Sequence, residues 1–143
     1  MTLDLKLWDT KTRAPRPMAS IHLTGKLGFN MDASKFMKLD SGPSFVVATK
    51  TSDSKATQIF LIETKDDLGN GITPVTVSKA GEYYYLNIRN MLDQLGIDYE
   101  RQISVYKIAK SEEDYKGYSL YVLTRVRNKP RARISKLREG QDE

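Results

Sequence analysis

The stretch LGFNMDASKFMKL, residues 27–39, has a counterpart in YYLNIRNMLDQLGI, residues 84–97. Each begins with large apolar residues, Phe29 in the first and Tyr85 and Leu86 in the second. Each then carries an asparagine, Asn30 or Asn87, and runs into a short segment with helical spacing. An asparagine so placed can cap a helix, its side-chain oxygen accepting from an amide of the first turn. Phe36, Met37 and Leu39 supply an apolar face to the first segment, and Gly42 and Pro43 end it. Met91, Leu92 and Leu95 form the face of the second, and Gly96 ends it.

Working outward, one order of elements surrounds both segments. SIHLTGKLGFN, residues 20–30, and PVTVSKAGEYYYLN, residues 74–87, each read as strand, glycine turn (Gly25 or Gly81), strand. SFVVATKT and TQIFLIET are β-rich runs joined by the polar SDSKA; RQISVYKI and GYSLYVLTRV are a second such pair joined by AKSEEDYK. Matching positions lie 57 residues apart at Asn30 and Asn87, 58 apart at Phe45 and Ile103, and 61 apart at Ile59 and Leu120. A near-constant offset is the mark of a duplicated unit. The order predicts an α+β, β-rich fold of two pseudo-symmetric β-β-α-β-β halves, residues 19–65 and 75–126, joined by a linker at 66–74. Residues 1–18 read as an N-terminal strand, with Leu3, Leu5 and Leu7 alternating with Asp4 and Lys6, followed by a linker holding Pro15 and Pro17. Residues 127–143 read as a basic tail. Four short strands and a short helix bury little apolar area, so one half is marginal alone. Val46, Val47, Ile59, Ile62, Ile103, Val105 and Val122 are the material for a shared core.

The layout resembles the AbrB-like swapped-hairpin DNA-binding domains. The resemblance lies in IHLTGKLGFNMDASKFMKLDSGPSFVVATKT followed by QIFLIET, with VTVSKAGEYYYLNIRNMLDQLGI as a more divergent copy. Two units on one chain are similar to the MraZ-like tandem arrangement. The whole chain is also similar to small uncharacterised proteins of Bacteroidetes and their phages or mobile elements. The resemblance implies an AbrB-like swapped-hairpin barrel with extended basic ends that contacts DNA through basic turn and helix residues, here Lys26, Lys35, Lys38, Lys79 and Arg89. Members usually start the helix with proline, where this chain has asparagine, and often carry more arginines on the DNA-facing layer.

The charge is segregated. Residues 1–17 hold four basic and two acidic side chains, residues 18–124 hold 12 and 13, and residues 125–143 hold seven and three, within a total of +5. Any attraction to a polyanion is therefore led by the ends. Arg125, Arg127, Lys129, Arg131, Arg133, Lys136 and Arg138 form a run without an acid among them. Such a run can neutralise phosphates in a salt-dependent way, or dock an acidic protein surface. Arg125 and Arg127 share a parity and are expected on one strand face, with Pro130 stopping the ladder. Tyr83 and Tyr85 share the opposite face from Tyr84, and can stack on bases or border solvent.

No catalytic constellation is legible. His22 is the one histidine and there is no cysteine, so thiolate chemistry, disulfides and thiolate metal sites are excluded. Asp66–Asp67 and Glu112–Asp114 lack the spacing of a calcium loop, and Gly69–Gly71 lacks the residues of a phosphate loop. The N-terminus lacks the pattern of a secretory signal, and no apolar run is long enough to span a bilayer. The expectation is a non-enzymatic nucleic-acid-binding protein without cofactor, for DNA rather than RNA, in the cytoplasm of a bacterial or phage-infected cell. The alternative is a structural or packaged component of a phage virion or other large assembly, its basic ends acting as anchors, with self-association left open. An antitoxin-like role is a third reading.

Overall fold

A computed structural model describes residues 2–69 and 71–131. Nine strands form one antiparallel sheet: β1 (Met18–Ile21), β2 (Lys26–Phe29), β3 (Ser44–Ala48), β4 (Gln58–Glu63), β5 (Val75–Thr76), β6 (Ser78–Ala80), β7 (Tyr83–Asn87), β8 (Gln102–Lys110) and β9 (Leu120–Pro130). Their lateral order is β5-β3-β4-β9-β8-β1-β2-β7-β6. The two outermost strands, β5 and β6, are separated in sequence by Val77 alone. The Val77 amide donates to the Pro43 carbonyl at 3.0 Å. One run of chain thus pairs with β3 through its first part and with β7 through its second, and the sheet is a nearly closed barrel. Closure removes most of the unpaired edge that an open sheet would leave to aggregation.

Two short helices interrupt the strands. Helix α1 (Met31–Phe36) is capped by Asn30, whose Oδ1 accepts from the Ala33 amide at 2.8 Å. The same oxygen accepts from the Met18 amide at 3.1 Å, and Asn30 Nδ2 donates to the Arg16 carbonyl at 2.9 Å. One side chain therefore caps α1 and ties it to the entry of β1. Helix α2 (Arg89–Leu95) starts differently: Asn87 is the last residue of β7, Ile88 occupies the cap position, and Asn87 Oδ1 only accepts from the Arg89 amide at 3.2 Å. The ladder between β2 and β7, with Lys26 opposite Asn87, pulls that asparagine into the sheet and moves the cap one residue on.

Alternation along the strands fills the interior with Ala19, Ile21, Leu27, Phe29, Phe45, Ile59, Leu61, Leu86, Tyr106, Ile108, Tyr121 and Leu123. Ala33, Met37 and Leu39 join this cluster from α1 and the 3-10 turn after it, and Ile88 and Leu92 from α2. Residues on both sides of the mid-chain linker thus share one core, and Leu27 faces Leu86 directly across the β2–β7 ladder. Phe36 is part-exposed and packs edge-on against Tyr121, ring centroids 5.9 Å apart.

Four further sequence expectations are corrected. Residues 2–9 carry no strand, and Leu3, Leu5, Leu7 and Trp8 are exposed: the alternating pattern is present, but no ladder partner meets it. Residues 127–130 belong to β9, paired with β8 as far as Gln102 opposite Pro130, and are not tail. The offsets matching Phe45 to Ile103 and Ile59 to Leu120 place buried residues against outward ones. Ile103 pairs with Lys129 and Leu120 with Ile62 on the outer face, while Tyr106, Ile108, Tyr121 and Leu123 point inward. Finally, a bulge between Val105 and Tyr106 places Arg127 opposite outward Val105 and Arg125 opposite inward Tyr106, so these arginines lie on opposite faces.

Tyr106 ties the second hairpin to the first. Its ring is 1% exposed and its hydroxyl donates to the Ala56 carbonyl at 2.7 Å. Burial pushes its pKa up to about 12. A phenol whose folded pKa is raised contributes stability below the unfolded value, about 10, and loses it as pH rises through the folded one. The protein is therefore expected to lose stability between about pH 10 and 12 in urea titrations followed by circular dichroism. Tyr106→Phe should flatten that loss, at a cost of about 1–3 kcal/mol near neutral pH from the orphaned Ala56 carbonyl.

Candidate nucleic-acid interface

Paired residues in an antiparallel sheet share a face, so the ladders define the outer surface row by row. One row runs Arg127, Val105, Ser20, Gly28, Tyr85, Ser78 across β9, β8, β1, β2, β7 and β6. To one side lie Lys129 opposite Ile103 and Lys26 opposite Asn87; to the other lies Lys107, opposite both Met18 and Thr124. Small residues, Ser20 and Gly28, stand between the larger Val105 and Tyr85 in this row. The result is a recess of about 430 Å³ floored by Ser20 and Gly28 and walled by His22, Lys26, Tyr83 and Tyr85.

Gly28 has an extended backbone without positive φ, so its glycine is explained by space: a Cβ there would overlap His22 Nε2. His22 lies across the glycine, and its pKa is lowered by burial first and then by the charges of Arg131 and Lys26. Its imidazole is accordingly neutral near pH 7, a hydrogen-bonding group rather than a charge. Lys26 Nζ stands 4.5 Å from the centre of the Tyr85 ring, a cation–π contact. Tyr83 is 60% exposed beside it on the same face.

The other basic residues singled out in the sequence are dispersed. Lys35, Lys38 and Lys79 do converge, on a cleft of about 710 Å³ between α1 and β6, but Asp40 and Glu82 line it with them. Lys79 Nζ lies 5.6 Å from the Tyr84 ring centre. Arg89 stands at the start of α2, 3.7 Å from Asp93. Arg125 is half-buried and donates to the Lys55 carbonyl at 3.3 Å. Arg133, Lys136 and Arg138 lie outside the described residues. Among the described residues the ion pairs are Arg13–Asp32, Arg89–Asp93 and Arg101–Asp98, and none involves Lys26, Lys107, Arg127 or Lys129.

Arg131 has a structural assignment. Its Nε and Nη2 donate to the Tyr99 carbonyl at 2.9 and 2.8 Å, and Nη2 also donates to the Ile21 carbonyl at 3.1 Å. The planar guanidinium thereby clasps the chain before β8 to the end of β1. Sequence reasoning missed Lys107, Ser20 and Gly28 as parts of the surface. The parity of QISVYKI sets Ile103, Val105 and Lys107 against Ser104, Tyr106 and Ile108, and neither set is purely apolar.

Among the described residues no group of three histidine, aspartate or glutamate side chains converges where a metal ion could sit, and no helix is long and apolar enough to cross a membrane. Comparison of the chain with protein-family models, curated proteins and solved structures finds no match to any of them.

Arg131→Ala is expected to lower stability by about 1–3 kcal/mol through the unpaired Tyr99 and Ile21 carbonyls. Arg131→Lys should not restore it, because a single ammonium lacks the planar fork that serves both. Urea midpoints of the three proteins check this; equal midpoints would remove the clasp.

Proposed function

We propose that this protein binds nucleic acid, DNA before RNA, and catalyses no reaction, with Lys26, Lys107, Arg127 and Lys129 holding phosphates on the outer face of the sheet. The observation that carries the reading is the combination on that face of cations outside any described ion pair with two tyrosines, Tyr83 exposed and Tyr85 half-buried, at a recess. Cations already paired with carboxylates offer little to a polyanion, whereas unpaired ones release counterions when they meet phosphates. Lys35, Lys38 and Lys79 contribute less, since Asp40 and Glu82 share their cleft.

On this reading the body is a pair of AbrB-like β-β-α-β-β halves in a tandem arrangement. The pairing pattern supports it. Exchanging β1, β2, β3 and β4 with the β5–β6 run, β7, β8 and β9 maps β1–β2 onto β6–β7, β3–β4 onto β8–β9 and β1–β8 onto β5–β3, and maps β2–β7 and β4–β9 onto themselves. A twofold-related pair of units would have this pattern.

The binding test is fluorescence anisotropy on a labelled oligonucleotide over a salt series. The triple variant Lys26→Ala, Arg127→Ala, Lys129→Ala should lower the steepness of log K against log salt by about two to three, close to one for each phosphate no longer neutralised. Lys35→Ala with Lys38→Ala should change it less. Binding that ignores salt and the triple variant would end the reading.

A second reading, a structural component of a virion or other large assembly, is favoured by the N-terminal arm. Leu3, Leu5, Leu7 and Trp8 are 72–90% exposed, while the chain from Arg13 onward is pinned to α1 by Arg13 and the Arg16 amide on Asp32, each at 2.8 Å. Leucines of one parity with no ladder of their own suit addition to another sheet. On this reading the chain self-associates in sedimentation velocity at rising concentration, and Leu5→Asp with Leu7→Asp leaves it monomeric. A wild-type chain that stays monomeric throughout would count against the arm as an anchor.

A further inference from the structure

We infer that the recess over Gly28 takes an unpaired base, and that the ligand of this face is a single-stranded nucleic acid; this rests on the nucleic-acid reading above and narrows it. Tyr83 and Tyr85 stand two residues apart on one strand face, about 6.6 Å apart along the strand. That is close to twice the 3.4 Å rise per nucleotide of a stacked strand, the separation at which two platforms can flank one base. Ser20 and Gly28 themselves add little bulk to the floor beside Tyr85, and the His22 ring covers part of it over Gly28. Lys26, over Tyr85 at 4.5 Å, brings a charge to the same rim for the adjoining phosphate.

The geometry disfavours a duplex. In a duplex the base faces are covered by their neighbours, so a tyrosine can stack only on a base that has left the helix. Reading the major groove requires a projecting helix or two-stranded ribbon. Here Lys26 stands at the rim of a hollow on the sheet surface, Lys107, Arg127 and Lys129 lie away from it on β8 and β9, and the helices, of six and seven residues, are committed to the core through Ala33 and Leu92. Arg127 and Tyr85 are four strand intervals apart along the central row, about 19 Å at the usual spacing. An extended strand of several nucleotides crosses that width with its phosphates over Arg127, Lys129 and Lys107 and a base at the recess. His22, neutral and lying across Gly28, is placed to hydrogen-bond the base edge.

The experiment compares a labelled twenty-nucleotide oligo-dT with a mixed-sequence duplex of the same length at one salt concentration, with inorganic polyphosphate as competitor. Oligo-dT is expected to bind at least about tenfold tighter than the duplex. Tyr85→Ala should lose about tenfold for oligo-dT and little for the duplex, while Tyr85→Trp retains binding. Tyr83→Ala, at an exposed position, should lose affinity in the same direction and guards against a folding defect in the Tyr85 variant. Equal affinity for both ligands with neutral tyrosine variants would overturn the single-strand inference and leave phosphate binding intact. Polyphosphate competing as well as unlabelled oligo-dT would likewise overturn base stacking alone. Salt-insensitive or absent binding of every probe would overturn both.

Discussion

The whole fold depends on the run Val75–Ala80, which must be a strand twice over. Its first part completes β3 and its second completes β7, with the Val77 amide on Pro43 between them. Without it, β3 and β7 would be the free edges of a twisted sheet, offering unpaired amides and carbonyls to any other chain. Each half also takes ladder partners from the other: β1 from β8, β2 from β7, β4 from β9. The interior follows from the same constraint. Leu27 and Leu86, or Ile59 and Leu123, face one another because the ladders bring their strands together across the linker. Either side of the linker taken alone would leave these ladders unpaired and this interior open.

What the sequence made legible is what is local. The turns at Gly25 and Gly81 mark the first hairpin on each side of the linker, β-rich runs joined by polar segments mark the second, and Asn30 announces its own cap. What it hid is set by contacts distant along the chain. Asn87 has the same local surroundings as Asn30, yet its pairing with Lys26 holds it in the sheet. The bulge at Val105 and Tyr106 separates Arg125 from Arg127, and nothing in QISVYKI marks it. The arm at Leu3–Leu7 has a strand pattern and no strand, since alternation states a preference that only a neighbouring ladder can satisfy. Arg131 reads as one more cation in a basic run, while its donors serve carbonyls 32 and 110 residues away.

The candidate surface was half legible for the same reason. Lys26, Arg127 and Lys129 stand out as charges in any reading of the chain. That they share a face with Lys107 and Tyr85 depends on the register of five strands, and one residue of slippage in any of them would turn its contribution inward. The basic ends draw attention through net charge, yet the described part of the C-terminal run divides into a clasp, a half-buried arginine and two outward cations. Net charge bears on association with polyanions at a distance; position on the pleat decides which cations a ligand can touch.

Gly28 is the residue at which the local and global demands part. A glycine inside a strand costs about 0.5–1 kcal/mol in chain entropy relative to alanine, and its extended backbone gives no conformational reason to accept that cost. Its neighbours in the row, Ser20 and Tyr85, bear side chains without difficulty. The space left by the missing Cβ is occupied in part by the His22 ring, and the remainder is the recess. A sheet selected for stability alone would fill the row with β-branched residues and displace the histidine onto the surface. A position that gives up stability to hold a hollow between a neutral imidazole, a lysine and two tyrosines is where a ligand is to be sought, because local rules are broken in natural folds chiefly at the sites that work.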